Sequence, residues 1–308
     1  MRLAFFFDRV FLFRLKNNFT HLLLRGMVCY VLVSALSAQA APLRVTVVLS
    51  EAGGAYQEFA TALQYNIASQ YEVQIQQVGD AVGDADLLVA VGMKAAAAQG
   101  ATAQPVLHVL VSRAGFEKLP RASASMAIYM DQPMERRLAL LSAVLPNANE
   151  IGVLYGTPPF ELDYLKKMLA VKRFVLHEQV VDQRHPLSAA LSDVLRESEV
   201  LFVLPDAEVY NSETIRNILL ETYRRQIPMI GISASFVRAG ALCAVYSTPQ
   251  QVAQQAAEVI AQWADSGKLL ASQYPKEFDV SVNAQVARSL GLTIKDAEQL
   301  RAEIRRKQ

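Results

Sequence analysis

The chain has 308 residues, 52% of them hydrophobic and 19% charged, with a formal net charge of +1. That apolar content is enough to bury two cores of ordinary domain size and excludes disorder as the default state. The near-neutral balance gives no polybasic face, so nucleic acid and anionic membrane surfaces are poor partners.

Residues 1–41 differ from the remainder. Arg9, Arg14, Lys16 and Arg25 precede an apolar run over 27–36, and Ala38, Gln39 and Ala40 follow it. A basic flank, an apolar run and a small-residue end predict a secretory signal peptide over 1–41, cut after Ala40 or Ala41, and therefore a periplasmic protein. A membrane anchor is the alternative, but the main run is roughly half the ~20 residues a spanning helix needs. Cys29 lies inside the run and no cysteine stands at the cleavage site, which gives no support for lipid attachment. Loss of 1–41 removes five basic residues and one acidic residue, moves the formal charge to about −3 and leaves Cys243 alone. A single cysteine in an apolar strand is a small buried hydrophobe and cannot form an intramolecular disulfide.

From residue 42 onward, near-continuous apolar runs alternate with helical patterns, the mark of βαβ units whose parallel strands are buried on both faces. Strands are predicted over 44–49, 73–77, 87–91, 106–110 and 126–129. A helix follows in which Met134, Leu138, Leu141 and Leu145 form one stripe, with Pro133 at its start and Pro146 at its end. A second set of strands is predicted over 151–155, 174–181, 200–204, 229–232 and 242–246. Ser212 is expected to cap a helix that buries Ile215, Ile218, Leu219 and Thr222. Thr248 and Gln251 form a capping box with Pro249 at the first helical position, ahead of Val252, Ala256, Val259, Ile260 and Trp263.

The two sets echo one another. Asp86 leads LLVAVG as Glu199 leads VLFVLP, and Pro105 leads VLHVLVS as Pro228 leads MIGIS. This predicts an α/β protein with two doubly wound parallel-sheet lobes of five strands each. A single ten-stranded sheet is the alternative, disfavoured because open sheets that wide tend to split or curl.

In such sheets a ligand binds beyond the carboxyl ends of the strands, near helix N-termini. The loops there supply the candidate ligand-binding residues: Ser50, Gly53, Gly54 and Tyr56 after the first strand, Gly92 and Met93 after the third, Tyr155 and Thr157 after the sixth. Asp206 and Asn211 follow the eighth, Ser233, Ser235 and Phe236 the ninth, and Tyr246 ends the tenth. Asp206 is a carboxylate able to hold an ammonium group or to cap a helix. Ser233 and Ser235 offer hydroxyls to a ligand or to the backbone. Gly53 and Gly54 allow close backbone approach, yet no Gly-Lys-Ser/Thr follows and the spaced glycines of a dinucleotide site are missing, so no nucleotide cofactor is expected. The aromatic residues Tyr56, Tyr155, Tyr210, Phe236 and Tyr246 favour an amphipathic organic ligand over a bare ion. No His/Cys/Asp cluster has metal-ligand spacing and no Gly-x-Ser-x-Gly elbow surrounds Ser233 or Ser235, so neither a metal site nor catalytic residues are predicted.

Four segments carry a family likeness: LPNA at 145–148 with the strand after it, VLPDAEVYNSETI at 203–215, Val237-Arg238-Ala239-Gly240-Ala241-Leu242, and VSVNAQVARSLGLTI at 280–294. In these the chain resembles the tryptophan/tyrosine type of ABC-transporter substrate-binding proteins. The resemblance implies the type I periplasmic binding protein fold, with three crossover strands near Asp131, Ser247 and Lys276. One lobe would then hold 42–130 and 248–275, the other 131–247 and 276–308, with a ligand closed between them by hinge motion. It also implies a monomer that binds a small amino-acid-like ligand, aromatic ones included, and delivers it to an ABC permease with a cytoplasmic ATPase. A membrane sensor kinase or cyclase is the alternative partner, and a secreted α/β enzyme the alternative class. The first loop, SEAGGAYQEF, and Asp206-Ala207, where the family has Asp-Asn, depart from the pattern and leave the ligand open.

Overall fold

The computed structural model describes residues 42–100, 102–120, 124–172 and 174–307; the signal peptide expected over 1–41 lies outside them. The first part of the chain runs β1 (Arg44–Leu49), α1 (Gly54–Ile67), β2 (Glu72–Gln77), β3 (Leu87–Val91), α2 (Met93–Ala98), β4 (Val106–Val111), α3 (Arg113–Lys118) and β5 (Ser125–Tyr129). These strands form one parallel sheet in the order β2-β1-β3-β4-β5. Burial on both faces explains their composition. On β3, Leu87, Val89 and Val91 join one core with Phe59, Leu63 and Val252, whereas Leu88 and Ala90 face the other way with Val48 and Ala95.

The second part continues with α4 (Met134–Val144), β6 (Glu150–Tyr155), α5 (Leu162–Lys172), β7 (Val175–Val180), α6 (Leu187–Glu197), β8 (Val200–Phe202), α7 (Ile215–Arg224), β9 (Met229–Gly231), α8 (Ala234–Ala239) and β10 (Cys243–Tyr246). After α9 (Pro249–Ser266) come β11 (Asp279–Val282), α10 (Ala284–Ser289) and α11 (Ala297–Arg306). The second sheet has the order β11-β10-β9-β8-β6-β7, parallel except for β11, which runs antiparallel to β10. All ten predicted strands form, in two sheets. The eleventh was not predicted: it has four residues, and only Val280 is fully buried.

Helix boundaries follow local chemistry. The Thr248 hydroxyl accepts from the Gln251 amide at 3.2 Å and the Gln251 side chain accepts from the Thr248 amide at 2.9 Å, completing the capping box. Gly267, in the left-handed conformation, then ends α9. The expected Ser212 cap does not form. Helix α7 starts at Ile215 with Thr214 in the cap position, and the Thr214 hydroxyl instead donates to the Val209 carbonyl at 2.6 Å. Residues 211–214 are held in their own turn by the Asn211 side chain, which delays the helix.

Helix α9 lies on the first sheet, where Val252, Ala256 and Ile260 share a core with Phe59 and Leu63 of α1. Helices α4 and α11 share a core with β6, β8 and β10 of the second sheet. The chain therefore passes between the two sheets three times, after β5, after β10 and ahead of β11. Side chains tie the three passages together. Gln132 donates to the Ser247 hydroxyl at 2.8 Å, which donates to the Glu277 carbonyl at 2.5 Å. Arg136 donates to the Gln132 side chain at 2.7 Å and to the carbonyls of Pro275 at 3.0 Å and Lys276 at 3.3 Å.

Candidate ligand cleft at the seam of the two sheets

The carboxyl end of β4 points the chain at this seam. Leu110 takes a left-handed backbone (φ +53°) within a bulge, so that Val111 rather than Leu110 pairs with Tyr129. A bulge of this kind bends the strand and re-aims the residues after it. Ser112 then caps α3, accepting from the Gly115 amide at 3.1 Å.

Asp131 lies on the first passage between the sheets, and its carboxylate accepts from the Arg113 amide at 2.5 Å. Burial raises the Asp131 carboxyl to about 6; the Arg113 amide opposes this rise and the neighbouring Glu161 adds to it. Arg137, one turn into α4, is buried at 4% exposure. Its guanidinium lies 4.3 Å over the Phe202 ring and donates to the Val203 carbonyl. Burial lowers Arg137 to about 10, while Asp131 and Glu161 pull it back up. An acid and a base thus face one space and hold one another's charge.

Two cavities meet here. The inner one, about 80 Å³, is bounded by Ser112, Asp131, Arg137, Glu161, Leu204, Pro205, Ile232 and Val245. The outer one, about 480 Å³, is bounded by Arg113, Glu135, Phe160, Asp163, Tyr164, Lys167 and Tyr274, and shares Met134 and Glu161 with the first. Arg113 donates to the Tyr274 hydroxyl at 2.8 Å, with its guanidinium 4.4 Å over Phe160 and 5.7 Å from the Tyr274 ring. The inner cavity can take a small charged head group, and the outer one a larger, ring-contacting body.

None of the fourteen sequence-derived candidates lines these two cavities. Ser50 donates to the Val91 carbonyl at 2.7 Å and accepts from the Ala95 amide at 3.0 Å, bracing β1 to the start of α2. Gly92 (φ +84°) admits Ser50 and Tyr56 so closely that a Cβ would stand 2.6 Å from the Ser50 hydroxyl and 2.7 Å from the Tyr56 ring. Met93 packs against Gly115. Gly53 and Gly54 border a separate surface groove between α1 and α9. Tyr155 is buried and donates to Glu178 at 3.0 Å; burial and that carboxylate push it up to about 12.

Thr157 is exposed in the loop after β6. Asp206 accepts from the amides of Gly156 and Glu208, each at 2.8 Å, and of Val209 at 3.2 Å, so its carboxylate ties two loops together. Asn211 holds its own turn. Ser233 caps α8, Ser235 accepts from Arg238, and Phe236 packs on Tyr210 with ring centroids 6.4 Å apart. Tyr246 pairs with Asp279 of β11. Their neighbours Pro205, Ile232 and Val245 do border the inner cavity, so the loops adjoin the site while the named side chains are engaged elsewhere.

Asp131, Arg137 and Glu161, which line the inner cavity, were not among the sequence candidates. One signal was available: Arg137 stands three residues after Met134 and four before Leu141, so a charge interrupts the buried stripe of α4. Among the described residues no group of three or more His, Cys, Asp or Glu could hold a metal ion, and no helix is long and apolar enough to cross a membrane.

Two α/β lobes, three connecting passages, and cavities edged by charged and aromatic side chains at their seam define a two-lobed α/β architecture. The chain belongs to the ABC transporter substrate binding protein family, which it matches over residues 83–304. Such proteins are not enzymes, are normally periplasmic or extracellular, and present a small molecule to an ABC permease. A comparison with curated proteins found no match.

Among solved structures, the chain is similar to a conserved domain protein from Vibrio cholerae (22% identity, 85% of this chain and 98% of that one, TM-score 0.63). It is also similar to a Streptococcus pneumoniae ABC domain in complex with L-Trp (15%, 83% and 97%, TM-score 0.61). A third, from Clostridium difficile, is the ligand-free, open structure of a substrate-binding protein with adhesive properties (17%, 82% and 96%, TM-score 0.67). At these identities the likeness establishes the periplasmic binding protein fold.

Proposed function

We propose that the protein is the periplasmic solute-binding component of an ABC uptake system, acting as a monomer that closes its lobes on a small amino-acid-like zwitterion at the seam. The observation that carries this reading is the opposed pair Asp131 and Arg137 on one inner cavity. A carboxylate offers charge-assisted hydrogen bonds to an ammonium, and a guanidinium offers them to a carboxylate. Family membership supports the solute-binding role, and the L-Trp complex of the Streptococcus pneumoniae relative supports an amino acid as the class. Closure over the outer cavity would strengthen both pairings by removing water from around them.

Thermal melting of the purified protein against each amino acid tests this. A ligand present at about one hundred times its dissociation constant stabilises the folded state by about 2.7 kcal/mol, a shift of several degrees. We expect such a shift with at least one amino acid and its loss when the α-carboxylate is amidated. A flat response to every amino acid would refute the reading.

A further inference from the structure

The outer cavity already contains a cation. The Arg113 guanidinium lies against the faces of Phe160 and Tyr274, where the ring quadrupole attracts positive charge. It is poorly bonded for a guanidinium: it donates to the Tyr274 hydroxyl, but its buried Nε has no hydrogen-bond partner. A buried donor left unpaired costs free energy, so this side chain is held mainly by ring contact and is cheap to displace. The same cavity also carries Glu135, Glu161 and Asp163 against Lys167. With Arg113 turned outward, three carboxylates and the aromatic faces would confront one lysine, an environment that favours a ligand cation over a neutral or anionic side chain.

Resting on the amino-acid reading above, we infer that the outer cavity selects the side chain of a basic amino acid with a planar cation, of the arginine class, and that Arg113 is its built-in, displaceable stand-in. The α-ammonium and α-carboxylate meet Asp131 and Arg137, and the distal guanidinium takes the ring-lined place that Arg113 holds. A planar fork stacks on a ring and reaches carboxylates at the same time, which a tetrahedral ammonium does less well.

Isothermal calorimetry with L-arginine, L-lysine and L-tryptophan, on the purified protein and on Arg113→Met, Arg113→Gln and Phe160→Ala, tests the inference. We expect L-arginine to bind the parent protein most tightly. Either Arg113 variant should gain tenfold or more for L-arginine, and Phe160→Ala should lose tenfold or more with an unchanged melting temperature. Tighter binding of L-tryptophan than of L-arginine, or weaker L-arginine binding in a folded Arg113 variant, would overturn the inference and leave the amino-acid reading standing. If neither Arg113 variant folds, the ligand ranking on the parent protein and the Phe160→Ala result decide. Binding of no amino acid at all would remove both.

Discussion

The two lobes contribute different things to the cleft between them. In the first, the ends of β1 and β3 are locked by shape: Ser50, Tyr56 and Gly92 interlock with no room for another carbon, and the polar side chains buried in this lobe, Thr46, His108 and Gln255, carry no carboxylate, lysine or arginine. In the second, α4 buries two arginines, Arg136 and Arg137. The strand ends of the first lobe supply form, while the charges at the cavities come from Arg113 of α3, the first passage, α4 and the loop ahead of α5. Ligand chemistry should therefore respond to changes around α4 and the first passage, whereas changes at Gly92 should act on stability.

The largest effect is expected at Arg137. Replacing it with alanine strips the Val203 carbonyl and the Phe202 ring of their partner and leaves Asp131 without its opposing charge. Losing a fully buried guanidinium with its hydrogen bond, its ring contact and its packing costs about 3 kcal/mol. Urea denaturation of Arg137→Ala should show a loss of that order together with abolished binding; a stable variant with unchanged affinity would erase the division between the lobes.

Next is Gly92→Ala. The new Cβ would collide with Ser50 and Tyr56 at a backbone angle that L-residues rarely adopt, a combination that costs about 2–3 kcal/mol. The melting temperature should fall while affinity, measured well below the transition, stays near that of the parent. A selective loss of affinity would mean that the strand ends of the first lobe contribute more than form.

The smallest effect is a pH dependence at Asp131, between the lobes. Its folded carboxyl stands at about 6, above the ordinary 3.8. A raised carboxyl stabilises the fold when protonated, so its contribution is complete below about pH 4 and is lost as pH rises through about 6. Discounted for the solvent that still reaches the group, the difference is about 2 kcal/mol. Asp131→Asn should be more stable than the parent at pH 7.5 and lose that advantage at pH 4. Binding of an ammonium should weaken in the parent as pH falls through 6. A stability difference independent of pH would contradict the carboxyl's role.

These contrasts also explain what could be read in the sequence. Strands buried on both faces announce themselves as unbroken apolar runs, and a capping box such as Thr248 with Gln251 is spelled out in four residues, so ten strands and the start of α9 were legible. Strand β11 was not, because a short edge strand with one fully buried residue leaves little pattern. Site residues were harder still. Asp131 comes from a passage between sheets, Arg137 from the inner face of a helix and Glu161 from the loop ahead of α5; only the assembled chain makes them neighbours. The rule that ligands sit beyond strand ends led to the right loops, but within them Ser50, Asp206 and Asn211 spend their hydrogen bonds on the backbone.

The ties among the three passages bear on how the molecule can move. Gln132, Ser247, Arg136 and the carbonyls of 275–277 bind three chain segments into one belt. Separate strings would let the lobes twist, shear and tilt independently. A belt would confine any closure to bending about a single line, so that the two halves would swing like the covers of a book and each closing stroke would return Asp131, on the spine, to the same page.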